Sequence, residues 1–260
     1  MIPIEPIAIA PSTSSGGCTH CKNDDPLEFE FDYAYQPIID LGKRSIYAHE
    51  ALVRGPNGES AFSVLTQVND ANRYKFDQAC RVKAIRGAAE LGMKELLSIN
   101  FLPNAVYRPE ACIQSTFKAA LQYGFPIERI IFEVTEGEEV TDRPHLVNIF
   151  QEYHRFGFRT AIDDFGAGYA GLTLLSEFQP DIIKIDMELV RNIDTSLAKQ
   201  AIVRGIVSMC ATLDIRVLAE GIETPQERDL LHKAGIDLMQ GYLFCRPAFK
   251  ALGTIDPTSW

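Results

Sequence analysis

Thr160-Ala-Ile-Asp-Asp-Phe-Gly-Ala-Gly-Tyr-Ala-Gly-Leu172 runs a short apolar stretch into two adjacent carboxylates, Asp163 and Asp164, and then into a loop with glycines at 166, 168 and 171. Thr160, Ala161 and Ile162 read as the buried end of a strand. Successive strand side chains point to opposite faces, so both aspartates can face one site only if the strand ends between them, where glycine lets the backbone turn. A lone aspartate here would simply cap the next helix. Paired carboxylates at a strand mouth are a place to hold metal, provided other parts of the chain bring further ligands.

The rest of the sequence supplies them. Short apolar strands at 96–100, 129–134, 158–163, 181–185, 215–220 and 237–241 alternate with segments of helical period. That alternation predicts parallel strands joined by crossover helices. Ahead of them, Tyr33–Asp40 and Ser45–Arg54 flank a short glycine-bearing turn and predict a β-hairpin. Helix punctuation is ordinary: Asp142 is placed to cap one helix, and Thr224-Pro-Gln-Glu227 is a capping box for another. The predicted fold is α/β, a TIM-like (βα)8 barrel modified at its start by an N-terminal β-hairpin, which fits a chain of 260 residues as one unit.

The expected organisation is a flexible leader over 1–28, a barrel over 29–250 and a C-terminal tail over 251–260. Cys18-Thr-His-Cys21 in the leader supplies half of a zinc site, and His20 is badly placed to complete it. It reads as an exposed, incidental pair. The six cysteines read as reduced thiols, four of them in apolar segments. No apolar run approaches the roughly 20 residues of a membrane span, and the start lacks a secretory signal pattern. A cytoplasmic location is therefore expected. A net charge of −10 disfavours duplex nucleic acid and acidic membranes, which demand clustered cations.

Polar residues stand at the predicted strand ends: Glu50, Asn100, Glu133, Asp163 with Asp164, Lys184, Glu220 and Gln240, at intervals of 20 to 50 residues. A closed barrel gathers the C-terminal ends of its strands on one face, so these residues converge on one pocket. Five carboxylates there repel one another unless cations intervene. Oxygen ligands without His or Cys suit Mg²⁺ or Mn²⁺. Paired aspartates further suggest two ions about 3.5–4 Å apart, the arrangement used to hydrolyse phosphodiesters.

Glu50-Ala-Leu-Val-Arg54 resembles the signature of the EAL family of cyclic di-GMP phosphodiesterases. The likeness extends through Gln36-Pro-Ile38, Asn100, Glu133-Val-Thr-Glu136, Asp163-Asp-Phe-Gly-Ala-Gly168, Lys184-Ile-Asp186, Glu220-Gly-Ile-Glu223 and Gln240-Gly-Tyr242. The resemblance implies that Glu50, Asn100, Glu133 and Asp163 bind one metal, with Asp163 shared and Asp164 on the second. It implies that Glu220 and Lys184 orient and help deprotonate the attacking water, and that Glu136 positions the glycine-bearing loop. Gln36 and Arg54 would hold substrate, with Asp186, Glu223 and Gln240 near the water or the guanine bases. The implied activity is hydrolysis of cyclic di-GMP to linear pGpG. The implied assembly is a homodimer formed near the 164–172 loop, with regulation left to a protein partner, to dimerisation or to the Cys18/Cys21 segment. The rival expectations are a non-catalytic cyclic di-GMP receptor or protein-interaction module on the same fold, and a different barrel enzyme using carboxylate-bound Mg²⁺.

Overall fold

Strands β1 (Asp32–Asp40), β2 (Ser45–Arg54), β3 (Leu96–Asn100), β4 (Ile130–Thr135), β5 (Arg159–Phe165), β6 (Ile182–Ile185), β7 (Arg216–Ala219) and β8 (Leu238–Met239) form a closed barrel in the computed structural model. The structure describes residues 27–135, 142–167 and 171–260. Strands β2 to β8 run parallel in sequence order. β1 is antiparallel to both β2 and β8 and completes the closure, so the predicted hairpin is built into the barrel wall.

A short strand the sequence left unassigned, β9 (Ala248–Phe249), pairs antiparallel with Ala34 and Tyr35 of β1. Beyond it, Leu252, Ile255 and Trp260 pack on the core, and Arg228 Nη1 donates to the Ser259 carbonyl at 3.0 Å. Residues 251–260, expected as a tail, therefore pack as part of the folded body. Both predicted caps are present: Asp142 Oδ1 accepts from the His145 N–H at 3.1 Å, and Thr224 and Glu227 form a reciprocal capping box. Cys80, Cys112 and Cys210 are buried free thiols and Cys245 is a partly buried one; Cys18 and Cys21 lie outside the described residues.

Period-two alternation sorts the strand side chains into two environments. Outward-facing residues such as Ile99, Phe132, Ile162, Ile183 and Met239 join the large core beneath the helices. Inward-facing Ile38, Ala48, Ile131, Ala161, Ile182, Leu218 and Leu238 form a small separate cluster that plugs the barrel, with Leu96 packed against it. One pleat repeat above that plug, every strand presents a polar group: Glu50, Ser98, Glu133, Asp163, Lys184, Glu220 and Gln240, and Gln36 on reversed β1. The barrel thus sets a polar layer on an apolar floor.

One local expectation is corrected. The strand does not end between Asp163 and Asp164. β5 continues to Phe165, and its pairing with β6 advances from Ile162↔Ile183 to Phe165↔Ile185, one residue more on β5 than on β6. This is a β-bulge, with Asp164 in the left-handed region at φ 53°, and it re-aims Asp164 without ending the strand. In the β1–β2 turn the left-handed residue is Arg44, φ 49°, and not the glycine.

The helix Arg73–Glu90 carries a buried ion pair behind the site. Arg81 Nη2 lies 2.8 Å from Asp77 Oδ2, its Nη1 donates to Tyr153 Oη at 2.8 Å, and its guanidinium sits 4.9 Å from the centre of the Phe132 ring. Asp77 Oδ1 accepts from the Leu102 N–H at 2.9 Å, tying the chain just beyond Asn100 to this helix. Removing one partner of such a pair leaves an uncompensated buried charge. Asp77→Ala is expected to lower stability by about 3–5 kcal/mol in urea unfolding; a loss below about 1 kcal/mol would show that the pair does not hold this part of the barrel.

Candidate active site

The centre of the polar layer is the ammonium of Lys184, which is 1% exposed. It lies 2.8 Å from Glu220 Oε1, 2.9 Å from Glu133 Oε2, 3.1 Å from Asp163 Oδ1 and 3.5 Å from Glu50 Oε2. Four strands therefore converge on one cation, inside the single pocket that the strand-end positions predicted. Burial works against the Lys184 charge, but the four carboxylates outweigh it and hold the ammonium well above its ordinary value.

The remaining members brace the carboxylates from the sides. Asn100 Nδ2 donates to Glu50 Oε1 at 3.0 Å, and Gln240 Nε2 donates to Glu50 Oε2 at 2.9 Å and to Gln36 Oε1 at 3.1 Å. Gln36 Nε2 donates to the Cys245 carbonyl at 3.1 Å. The Gln36↔Glu50 register of the hairpin makes this possible, since it sets the two side by side across β1 and β2. Ser98, which the sequence reading passed over, donates its hydroxyl to Glu133 Oε1. Its only sequence signal is its position midway between Leu96 and Asn100 on the inward face of β3.

One ammonium cannot balance this set. Burial pushes the Glu133 carboxyl up to about 8 despite Lys184, with the charges of Glu50 and Asp163 adding to the rise. Burial likewise drives Glu220 well above the usual carboxylate range. Burial also opposes ionisation of Asp163, but Lys184, the Glu220 side chain and the Asp164 N–H, 2.9 Å from Asp163 Oδ1, hold its carboxyl below its ordinary value. Asp164 is raised to about 6 by burial and by the charges of Asp163 and Asp186.

Two carboxylate clusters have oxygens within 4.8 Å of one another: Glu50, Glu133 and Asp163, and then Asp163, Asp164 and Glu220. Asp163 belongs to both. The donors are all oxygens, the set suited to hard divalent cations, and the excess of buried negative charge is what such ions would neutralise. The residues therefore fit the predicted metal.

Above the layer lies a cleft of about 290 Å³ whose walls include Gln36, Asp164, Asp186, Arg191, Glu223 and Tyr242. Asp186 caps the short helix Met187–Val190, accepting from the Glu188 N–H at 2.7 Å, while Glu223 pairs with Arg191 at 2.6 Å on the rim. Arg54 stands apart from these. It lines an adjoining depression with Asn100 and Phe101, and its Nη1 donates to the Val53 carbonyl at 2.7 Å. Leu52 borders both hollows. Glu136 lies outside the described residues.

The chain is similar to proteins that share this arrangement of strands. It is 51% identical to a standalone versatile EAL protein from Vibrio cholerae O395 solved in a c-di-GMP-bound form, over 90% of this chain and 99% of that one, with a TM-score of 0.88. It is 38% identical to Klebsiella pneumoniae BlrP1 in a manganese and cyclic di-GMP complex, over 89% of this chain and 59% of that one, with a TM-score of 0.82. Among curated relatives, the blue light- and temperature-regulated antirepressor BluF of Escherichia coli K12 is 35% identical over 86% of this chain and 56% of its own length. The cyclic di-GMP phosphodiesterase NbdA of Pseudomonas aeruginosa PAO1 is 30% identical over 86% of this chain and 29% of its own length. The chain thus spans little more than half of one of these curated relatives and under a third of the other. No helix among the described residues is long and apolar enough to cross a membrane. The EAL domain pattern matches residues 24–247, and the chain belongs to the EAL domain family.

Proposed function

We propose that this chain is a metal-dependent phosphodiesterase that opens cyclic di-GMP to linear pGpG. The observation that carries this reading is the sharing of Asp163 between two carboxylate clusters beneath an open cleft. Glu50, Asn100, Glu133 and Asp163 would hold one divalent cation, Mg²⁺ or Mn²⁺, and Asp163, Asp164 and Glu220 the other. Such ions, when bound, supply Lewis-acid polarisation of a phosphodiester and lower the pKa of water.

The protein's own groups have separable tasks. Lys184 keeps Glu133, Asp163 and Glu220 within one hydrogen-bond radius of a single point. Glu220, 2.8 Å from the Lys184 ammonium and lining the floor of the cleft, is positioned as a carboxylate to take a proton from the attacking water. The new P–O bond to water forms as one phosphodiester P–O bond breaks, and the departing oxygen is protonated, leaving one 5′-phosphate on the linear product. Gln36, Asp186, Glu223 and Gln240 border the cleft where the substrate would lie, and Arg54 would meet a phosphate or a base from the adjoining hollow. The relatives solved with cyclic di-GMP or manganese support this assignment. The same reading carries expectations of action in the cytoplasm and of a homodimer.

A second reading follows from BluF, a relative named as an antirepressor. A chain of that kind would use the barrel as a docking module, and turnover separates the two.

Incubation with cyclic di-GMP and Mn²⁺ or Mg²⁺, followed by chromatography, is expected to yield linear dinucleotide from the wild type and none from Glu50→Ala. Glu220→Gln is expected to keep substrate binding within a few-fold while lowering kcat by about 10²–10⁴. Wild-type turnover in either variant would overturn these roles, and binding without any product from the wild type would favour the docking reading.

Cation binding must also depend on pH. Because the Glu133 and Asp164 carboxyls are raised to about 8 and about 6, a cation competes with protons at both as pH falls. Mn²⁺ titrated at pH 8, 7 and 6 is expected to bind progressively more weakly, by up to about tenfold per pH unit for each proton displaced. Affinity constant over that range would contradict the assignment of these ligands.

A further inference from the structure

The pleat that builds the polar layer also builds its opposite. Lys94, Arg129, Arg159 and Arg216 each lie four residues before a member of that layer, namely Ser98, Glu133, Asp163 and Glu220. Arg159 and Arg216 open β5 and β7, where an even spacing keeps them on the inward face, and Lys94 and Arg129 stand just ahead of β3 and β4; all four therefore lie at the N-terminal ends of their strands, beneath the apolar plug. There a cavity of about 350 Å³ is bordered by four cations, Lys43, Lys94, Arg129 and Arg159, and by only two carboxylates, Asp40 and Glu95.

Both carboxylates are already engaged. Asp40 pairs with Lys43 at 3.1 Å and with Arg216 at 3.3 Å, and Glu95 accepts from the Lys94 N–H at 3.1 Å. Tyr47 forms a platform within the cavity: Arg159 Nη1 donates to its hydroxyl at 3.0 Å, and the Arg216 guanidinium lies 4.5 Å from the centre of its ring. The Lys94 ammonium and the Arg129 guanidinium have no ion-pair or side-chain hydrogen-bond partner among the described residues. Arg129 and Arg159 are nevertheless half-buried. A protein of net charge −10 thus concentrates unbalanced positive charge in one concave site.

We propose that this mouth is a second ligand site, for a small anion carrying two or more phosphate groups. Guanidinium forks match phosphate oxygens in geometry as well as charge, and the cavity is of small-molecule size. The site is separated from the carboxylate layer by the plug around Ile131, Ala161 and Leu218. It shares β5 and β7 with the carboxylate layer, so the two mouths are bridged by the same backbone.

The test is calorimetric titration of pyrophosphate into the full chain, freed of divalent ions on a chelating resin so that the carboxylate mouth offers the probe no metal. Saturable binding is expected, weakened by about tenfold or more in Arg129→Gln and in Arg159→Gln. Exposed Lys118 on the helix Gln114–Tyr123 lies outside the cavity, and Lys118→Gln is expected to leave binding unchanged. A parallel titration with a nucleoside diphosphate distinguishes a nucleotide site, which binds it more tightly, from a site for the phosphate groups alone, which does not; either ordering supports the proposal. Pyrophosphate is also expected to raise the melting temperature of the wild type, a readout that needs no variant. Absence of saturable binding by the wild type, or equal weakening in Lys118→Gln and Arg129→Gln, would overturn the proposal.

Discussion

The ammonium of Lys184 meets carboxylates from β2, β4, β5 and the end of β7 at 2.8 to 3.5 Å, in a layer sealed from below by apolar side chains. Two carboxylates about 5 Å apart repel by roughly 3 kcal/mol at an effective dielectric of 20. Four of them around a single positive charge are therefore tolerable only with protons or further cations. The raised Glu133 and Glu220 carboxyls are the protonic answer, and the two overlapping clusters around Asp163 are the cationic one. The same imbalance that costs the layer stability gives it affinity for divalent ions. Stability and function are in opposition here, which is the usual condition of a preorganised site.

The opposition is held in place by ordinary barrel packing. Ile131, Ala161, Ile182, Leu218 and Leu238 occupy the interior one pleat repeat beneath Glu133, Asp163, Lys184, Glu220 and Gln240. A register slip of one residue on any strand would exchange an outward apolar side chain for an inward polar one. The cost of exposing residues such as Phe132 or Ile183 thus fixes the positions of their charged neighbours. The backbone departs from this pattern between Ile38 and Ile39 in the β1–β2 pairing and again at β5, where the bulge is what brings Asp164 toward Asp163 and Glu220.

Much of this was legible in the sequence because two independent periodicities agree. Strand-like runs spaced by helical segments gave the barrel, and polar residues at the ends of those runs gave Glu50, Asn100, Glu133, Asp163, Lys184, Glu220 and Gln240. Ser98 was not legible, because a serine in an apolar strand carries no signal beyond its place in the alternation. The bulge was not legible either, since a non-glycine residue at φ 53° is set by pairing with β6 and not by local propensity. β9 is two residues long and exists only because β1 offers an unpaired edge beyond β8. Arg54 was correctly placed at a strand end, but β2 runs past Glu50 far enough to carry it into the neighbouring hollow.

The central claim is that Asp163 stands between two cation positions. The direct measurement is anomalous scattering from crystals soaked in Mn²⁺, for the wild type and for Asp164→Asn. Two peaks flanking Asp163 in the wild type, with the one nearer residue 164 lost or weakened in the variant, are the predicted result. A single peak remote from Asp163, or none at saturating Mn²⁺, would contradict the account.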